Sequence, residues 1–362
     1  MVHRLGLKAF IAKRITYSFI LLLAIIVVDF TIFILMPGDP TIFLAPIDPS
    51  GGILPPEERM KREQLLREVW GFGEPYHVQL FKYMRNLLSW KFGRSFLYKI
   101  EVGKLLIQRI PYTLFLIGGS TAISIIIGVL LGVQVIQRRG TFFDSFWVVT
   151  SLILGALPTF WLAMMFLLVF NLHLRWFPNA GAFPREWAGG NYPQPFIVSS
   201  NTSINSLNLL FSVDLGELWR LIEGYARHAF LPMLTLVVFG FGGWLIYTRA
   251  VMLDVITEDY IVTARAKGLK ERVVMYKHAL KNASLPLITS AALSFGFVLG
   301  GAMITEAVFT YPGMGRLTFD AITYKDYSIL MAVMYISSIC VIVANIIADL
   351  LYGVIDPRIK YG

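Results

Sequence analysis

Charge is scarce in this chain. Only 15% of its 362 residues are Asp, Glu, Lys or Arg, where a soluble globular domain carries about 25%. Hydrophobic residues make up 56% of the sequence and the mean hydropathy is +0.65. That balance excludes an ordinary water-soluble architecture. Cysteine is nearly absent. The single Cys340 lies inside an apolar run, so no intrachain disulfide can form, and it reads as a small buried hydrophobe. Clusters that carry chemistry are missing as well. The five histidines (His3, His77, His173, His228 and His278) are scattered without metal-ligand spacing. No G-x-x-x-x-G-K-[ST] loop occurs to cradle a nucleotide, and no serine sits in a G-x-S-x-G elbow. The sequence therefore offers no catalytic, cofactor-binding or metal-binding residues, and an ATP-driven process would need its ATPase from another polypeptide.

What is abundant is long apolar sequence. Residues 1–14 carry Arg4, Lys8, Lys13 and Arg14 without an acid. A run of 22 residues follows (15–36), long enough for about 33 Å of helix and broken only by Asp29. It exceeds a signal-peptide core and reads as an uncleaved first span. Further spans are expected at 112–136, 145–170, 229–248, 286–309 and 328–352. The short connection Arg138-Arg139-Gly140 marks a cytoplasmic side by its positive charge. The polar stretch 37–111 has eleven Lys or Arg, yet it is long enough to escape the positive-inside bias. It is expected to be an external cap with helices near Glu57–Trp70 and Tyr76–Trp90. Residues 171–228 form a second external loop and 310–327 a short third one. Both termini (1–14 and 353–362) and the loop 249–285 then fall in the cytoplasm. The expected fold class is an all-α polytopic membrane protein with six transmembrane helices and a large external loop region.

Glycines recur in two spans: Gly118, Gly119, Gly128 and Gly132 in the second, and Gly296, Gly300 and Gly301 in the fifth. Small residues let helix backbones approach, within this chain or in a second subunit. Two acids lie where burial is costly, and both Asp29 and Glu306 are candidates for a polar pathway or a bundle contact. Asp349 stands near the end of the sixth span, within reach of headgroup water.

The one polar island between spans is Glu258 to Pro286. The loop 249–285 that holds most of it has seven Lys or Arg against four acids. Asp259 to Lys267 can form two turns of helix, with Tyr260, Thr263, Ala264 and Lys267 along one face, Arg265 and Ala266 beside them, and Gly268 ending it in a left-handed turn. Small Ala264 and Ala266 would admit a partner surface closely. The segment after it, Glu271–Asn282, is basic and amphipathic, which by itself also suits a helix lying on anionic lipid.

These letters resemble the EAA loop of ABC importer permeases, in the variant of the dipeptide/oligopeptide/nickel branch. The matching residues are Glu258-Asp259-Tyr260, Thr263-Ala264-Arg265-Ala266-Lys267-Gly268-Leu269, His278-Ala279-Leu280, Asn282 and Leu285-Pro286. No glutamate precedes Ala264 in the generic place and the interval from Gly268 to Pro286 is long; both departures are those of the peptide branch. Pro37-Gly38-Asp39-Pro40, Gly93-Arg94-Ser95-Phe96, Pro158-Thr159-Phe160-Trp161, Glu306-Ala307-Val308-Phe309, Tyr311-Pro312-Gly313-Met314-Gly315, Asp349-Leu350-Leu351-Tyr352 and Asp356-Pro357-Arg358-Ile359 match the same branch in order. The long cap with Pro37–Pro40 is similar to the B-type member of the permease pair. The loop 171–228 is longer than most relatives carry.

The resemblance implies the type I ABC importer permease fold in the cell membrane. It also implies a second, related permease as heterodimer partner, two cytoplasmic ATPase subunits that bind ATP and magnesium, and an external solute-binding protein that delivers oligopeptides. It assigns ATPase docking to a coupling helix formed by Asp259, Tyr260, Thr263, Ala264, Arg265, Ala266, Lys267 and Gly268. Oligosaccharides are the alternative cargo, with nickel disfavoured by the lack of a histidine-rich or acidic path. A stand-alone secondary transporter or channel would call for paired repeats, and none stands out.

Overall fold

The computed structural model describes residues 7–35, 55–57, 60, 61, 64, 67, 71, 73–95, 97–178, 181–187, 196–198, 211–213 and 215–355. Pro37–Pro40, Phe96, Asn201, the tail from Asp356 and most of the expected helix Glu57–Trp70 lie outside them. The elements are α1 (Leu7–Leu35), α2 (Tyr76–Leu88), α3 (Val102–Gln137), α4 (Phe142–Ala156), α5 (Thr159–His173), β1 (Phe196–Val198), β2 (Phe211–Val213), α6 (Leu215–Val255), α7 (Asp259–Ala266), α8 (Glu271–Gly300), α9 (Met303–Val308), α10 (Met314–Thr323) and α11 (Tyr327–Ile355). Among the described residues the architecture is helical apart from one short antiparallel strand pair, in which Ile197 stands opposite Ser212. Among the described residues, five helices (α1, α3, α6, α8 and α11) are long and apolar enough to cross a membrane, and the bent pair α4–α5 makes a sixth if it counts as one span.

Chain direction divides the bundle into two ends. Arg14 of α1 and Asp349 of α11 form an ion pair at 2.9 Å, so the two outermost helices meet at what we call the terminal end. At the opposite, cap end, Tyr83 and Leu87 of α2 share one buried apolar cluster with Ile26 of α1, Leu105 and Leu106 of α3, Leu317 of α10, and Tyr327 and Tyr335 of α11. Burial of such apolar side chains contributes roughly 1.5–3 kcal/mol each. That explains how a cap of polar composition is held to the bundle.

Helices α3 and α6 run parallel in direct backbone contact. Gly119 lies beside Met233, Gly128 beside Trp244 and Gly132 beside Thr248. A Cβ added at Gly132 would stand 2.7 Å from Thr248 Cβ and 2.9 Å from the Leu245 carbonyl oxygen, so only glycine fits there. Gly296 is likewise pressed on α11 at Ala344 and Val341. These glycines therefore serve packing inside this chain.

Helices α1 and α3 start at Leu7 and Val102, ahead of the spans expected from 15 and 112, so residues 102–111 of the expected cap belong to α3. Four further expected boundaries shift for local reasons. The run 145–170 is two helices meeting at 97°. Pro158 keeps Leu157 extended (φ −74°, ψ 136°) and cannot donate to the helix before it. Residues 215–228, expected in an external loop, are the first turns of the 41-residue α6, about 60 Å long at 1.5 Å per residue. The basic segment from Glu271 runs into the fifth apolar stretch as one helix, with a π-helical stretch at Val274–Ala279 and Pro286 inside it. At its other end, the expected span 286–309 is interrupted. Gly301 adopts φ +78° against the backbone of Gly315, and the short α9 follows as a separate piece.

Candidate functional site

The polar island begins where α6 stops at Val255. Thr257 Oγ1 donates to the Asp254 carbonyl at 2.7 Å and the Glu258 N–H to the Val255 carbonyl at 3.2 Å, closing a tight turn. Glu258 is extended (φ −72°, ψ 145°), and α7 starts with Asp259 in its first turn, where a carboxylate complements the positive end of the helix dipole. The helix ends as the sequence suggests. The Gly268 N–H donates to the Arg265 carbonyl at 2.9 Å with φ +72°, and the space around its missing Cβ is open. Arg265 reaches over this turn to Glu271, with Nη2 2.8 Å from Oε1 and Nε 3.3 Å from Oε2. Both partners are exposed, so the pair brackets the turn while adding only about 0–1 kcal/mol. The Asn282 side chain, in the arm that follows, donates to the His278 carbonyl at 2.9 Å.

One side of α7 is spent on the chain itself. Ile261 and Ala264, three residues apart, are buried among Val133 and Ile136 of α3, Met252 of α6, and Val274, Met275, Ala279 and Ala283 of α8. The helix thus sits across the terminal ends of three long helices at once. The other side faces out: Tyr260, Val262, Thr263, Arg265, Ala266, Lys267 and Gly268 are exposed. The predicted face of Tyr260, Thr263, Ala264 and Lys267 is therefore split. Ala264 is only 6% exposed and lies in the seat, so it is not available to a partner. Sequence reading missed Val262, which is 57% exposed. An apolar residue left uncovered in a polar island is the signal that could have found it.

The two candidate acids have other surroundings. Asp29 is buried in α1 facing Tyr83 of α2, whose ring packs 5.6 Å from Phe30. It stands between the bundle and its cap. Glu306 is completely buried. Its carboxylate accepts the Arg316 N–H at 2.9 Å and the Ala302 N–H at 3.3 Å, so it holds the start of α10 onto α9. Thr113 Oγ1 accepts the Met314 N–H beside it. This is the geometry of a loop anchor.

A similar anchor ties the cap motif to the bundle. Asp326, buried at the start of α11, accepts the Ser95 hydroxyl at 2.7 Å and the Leu97 N–H at 3.1 Å. Tyr98 donates to Asp320 at 2.8 Å, and burial together with that bond pushes its hydroxyl up to about 12. Among the described residues no group of three or more His, Cys, Asp or Glu could hold a metal ion.

Comparison with known proteins adds the family. Residues 124–361 match the model described as "Binding-protein-dependent transport system inner membrane component". The chain is 34% identical over 356 residues to the oligopeptide transport system permease protein AppB of Bacillus subtilis, covering 98% of this chain and 100% of that one. It is 34% identical over 357 residues to the dipeptide transport system permease protein DppB of Alkalihalophilus pseudofirmus, covering 98% and 99%. A putative peptide transport system permease protein of Brucella abortus is 31% identical over 355 residues, covering 98% and 100%.

Proposed function

The chain belongs to the inner membrane components of binding-protein-dependent transport systems, and from that premise we propose that it forms half of the path by which an ABC importer moves oligopeptides. It is a multi-pass membrane protein with the type I importer permease fold, and a transporter subunit rather than an enzyme. The relatives' names, oligopeptide, dipeptide and peptide permeases, favour peptides over oligosaccharides or nickel as cargo. A second related permease completes the path, two ATPase subunits bind ATP and magnesium, and a solute-binding protein delivers the peptide to the cap side. The terminal end of the bundle is cytoplasmic in this reading.

One observation carries the mechanism. Helix α7 is clamped by Ile261 and Ala264 onto α3, α6 and α8 together, while its opposite side is uncovered. An ATPase surface that grips Tyr260, Val262, Thr263, Arg265, Ala266 and Lys267 would displace three membrane helices as one body. Gly268 fixes the angle between this short helix and α8, so the displacement enters the fifth span directly. Transport then needs two arrangements of the bundle whose balance both ATP and loaded binding protein bias.

Co-purification of the tagged chain tests the assembly: it should bring down a second permease and two ATPase subunits. Full peptide uptake by the lone chain in liposomes would refute the proposal.

A further inference from the structure

A second long-range ion pair, besides Arg14–Asp349, stands at the terminal end of the bundle. Arg249 of α6 forks onto Asp144 in the first turn of α4, with Nε 2.9 Å from Oδ1 and Nη2 3.0 Å from Oδ2. The Asp144 side chain is only 9% exposed and that of Arg249 28%. The same carboxylate accepts the Gly140 N–H at 3.0 Å, so it also closes the connection between α3 and α4. A bidentate, partly buried guanidinium–carboxylate pair is directional as well as attractive. It fixes orientation in a way that an exposed pair such as Arg265–Glu271 does not.

Its position gives that rigidity a use. Arg249 lies one and a half turns before the end of α6 at Val255, and α7 begins at Asp259. On the other side, α4 runs to the 97° elbow at Pro158, and α5 beyond it packs against α6 and against α9, the helix that carries Glu306. The seat of α7 touches α3, α6 and α8, but no residue of α4 belongs to it. Helix α4 also packs through apolar side chains on α3 and α6, and Arg138 at the end of α3 lies over the Phe143 ring at 4.6 Å, but among the described residues the ion pair that joins the seat's helices to α4 is this one. The close packing of Gly242 of α6 on Ser151 lies two turns further along α4.

We propose that Asp144 and Arg249 are positioning residues for coupling: they make the α4–α5 elbow move with the inner end of α6 when α7 is displaced. The inference rests on the docking role of α7 proposed above. Without the pair, α6 and α8 still follow the ATPase, but the elbow lags and the far end of the bundle no longer changes access in step. ATP is then hydrolysed with little transport.

The test uses the assembled transporter in liposomes and reads peptide delivered per ATP hydrolysed, together with the amount of complex assembled. Coupling between sites commonly corresponds to about 5–150-fold. Asp144→Asn and Arg249→Gln are expected to lower the ratio by about tenfold at constant assembly. Arg249→Lys, which keeps the charge but loses the fork, should lower it less than Arg249→Gln and decides the matter if Asp144→Asn fails to assemble. An unchanged ratio per assembled complex overturns the inference, even if assembly itself falls, because a purely structural contact would act that way. Gly268→Ala in the same assay separates the two ideas. If it leaves the ratio intact as well, the docking role of α7 is at fault; if it lowers the ratio while the pair variants do not, only the pair's role is.

Discussion

Gly268 offers the sharpest perturbation of the proposed lever. Its φ of +72° is a conformation that costs a residue with a side chain about 1–2 kcal/mol. Nothing lies within 4 Å of where a Cβ would sit, so the cost is strain in the backbone, with no clash added. A penalty of this size shifts the balance between the observed turn and relaxed alternatives by about 5–30-fold. Gly268→Ala should therefore lower ATP-dependent peptide uptake by several-fold, and Gly268→Leu should do no worse, because the longer side chain meets open space. Gly268→Asn should keep more activity than either, since asparagine tolerates the left-handed region. The assay is uptake by reconstituted transporter, normalised to assembled complex. Full activity of Gly268→Ala would refute the strain argument. So would a loss graded by side-chain size, which would mean that a surface lies against Gly268.

Other substitutions separate the two sides of α7 and the anchors. Ile261→Ala should destabilise the seat by about 2–5 kcal/mol and lower the melting temperature of the purified chain, whereas Val262→Ala should leave it unchanged; equal effects would contradict the division into seat and outer face. Glu306→Ala strands the N–H groups of Arg316 and Ala302 in a buried site, at about 1–3 kcal/mol each. It should expose the α9–α10 segment to protease, and unaltered cleavage would count against the anchor. Gly132→Ala must push α3 away from Thr248 and Leu245 and should cost about 1–3 kcal/mol. Gly243→Ala, with open space around it, should be neutral by the same thermal measurement.

The apolar runs were legible because composition and length alone mark a membrane helix; α1 ends, and α11 begins and ends, close to where hydropathy changes. The other helices escape that signal for physical reasons. A helix does not stop where its side chains become polar: Glu271 to Leu285 contains no proline, and the helix continues through its π-helical stretch and Pro286 into the apolar part of α8. Conversely, hydropathy hides a bend, since both sides of Pro158 are equally apolar and only the chemistry of proline marks the elbow. In the candidate site, the short helix and its terminating glycine were readable from local residues. Which way Ala264 points was not, because that is set by the ends of α3, α6 and α8. The pairing of Asp144 with Arg249 joins positions 105 residues apart and leaves no local trace.

In the proposed assembly the uncovered side of α7 is held by an ATPase subunit. A photoreactive side chain placed at Val262 in the assembled transporter tests this most directly. A covalent adduct with the ATPase is expected from Val262, and adducts only within this chain from the same probe at Ile261. Failure of the Val262 probe to capture the ATPase in an active complex would contradict it.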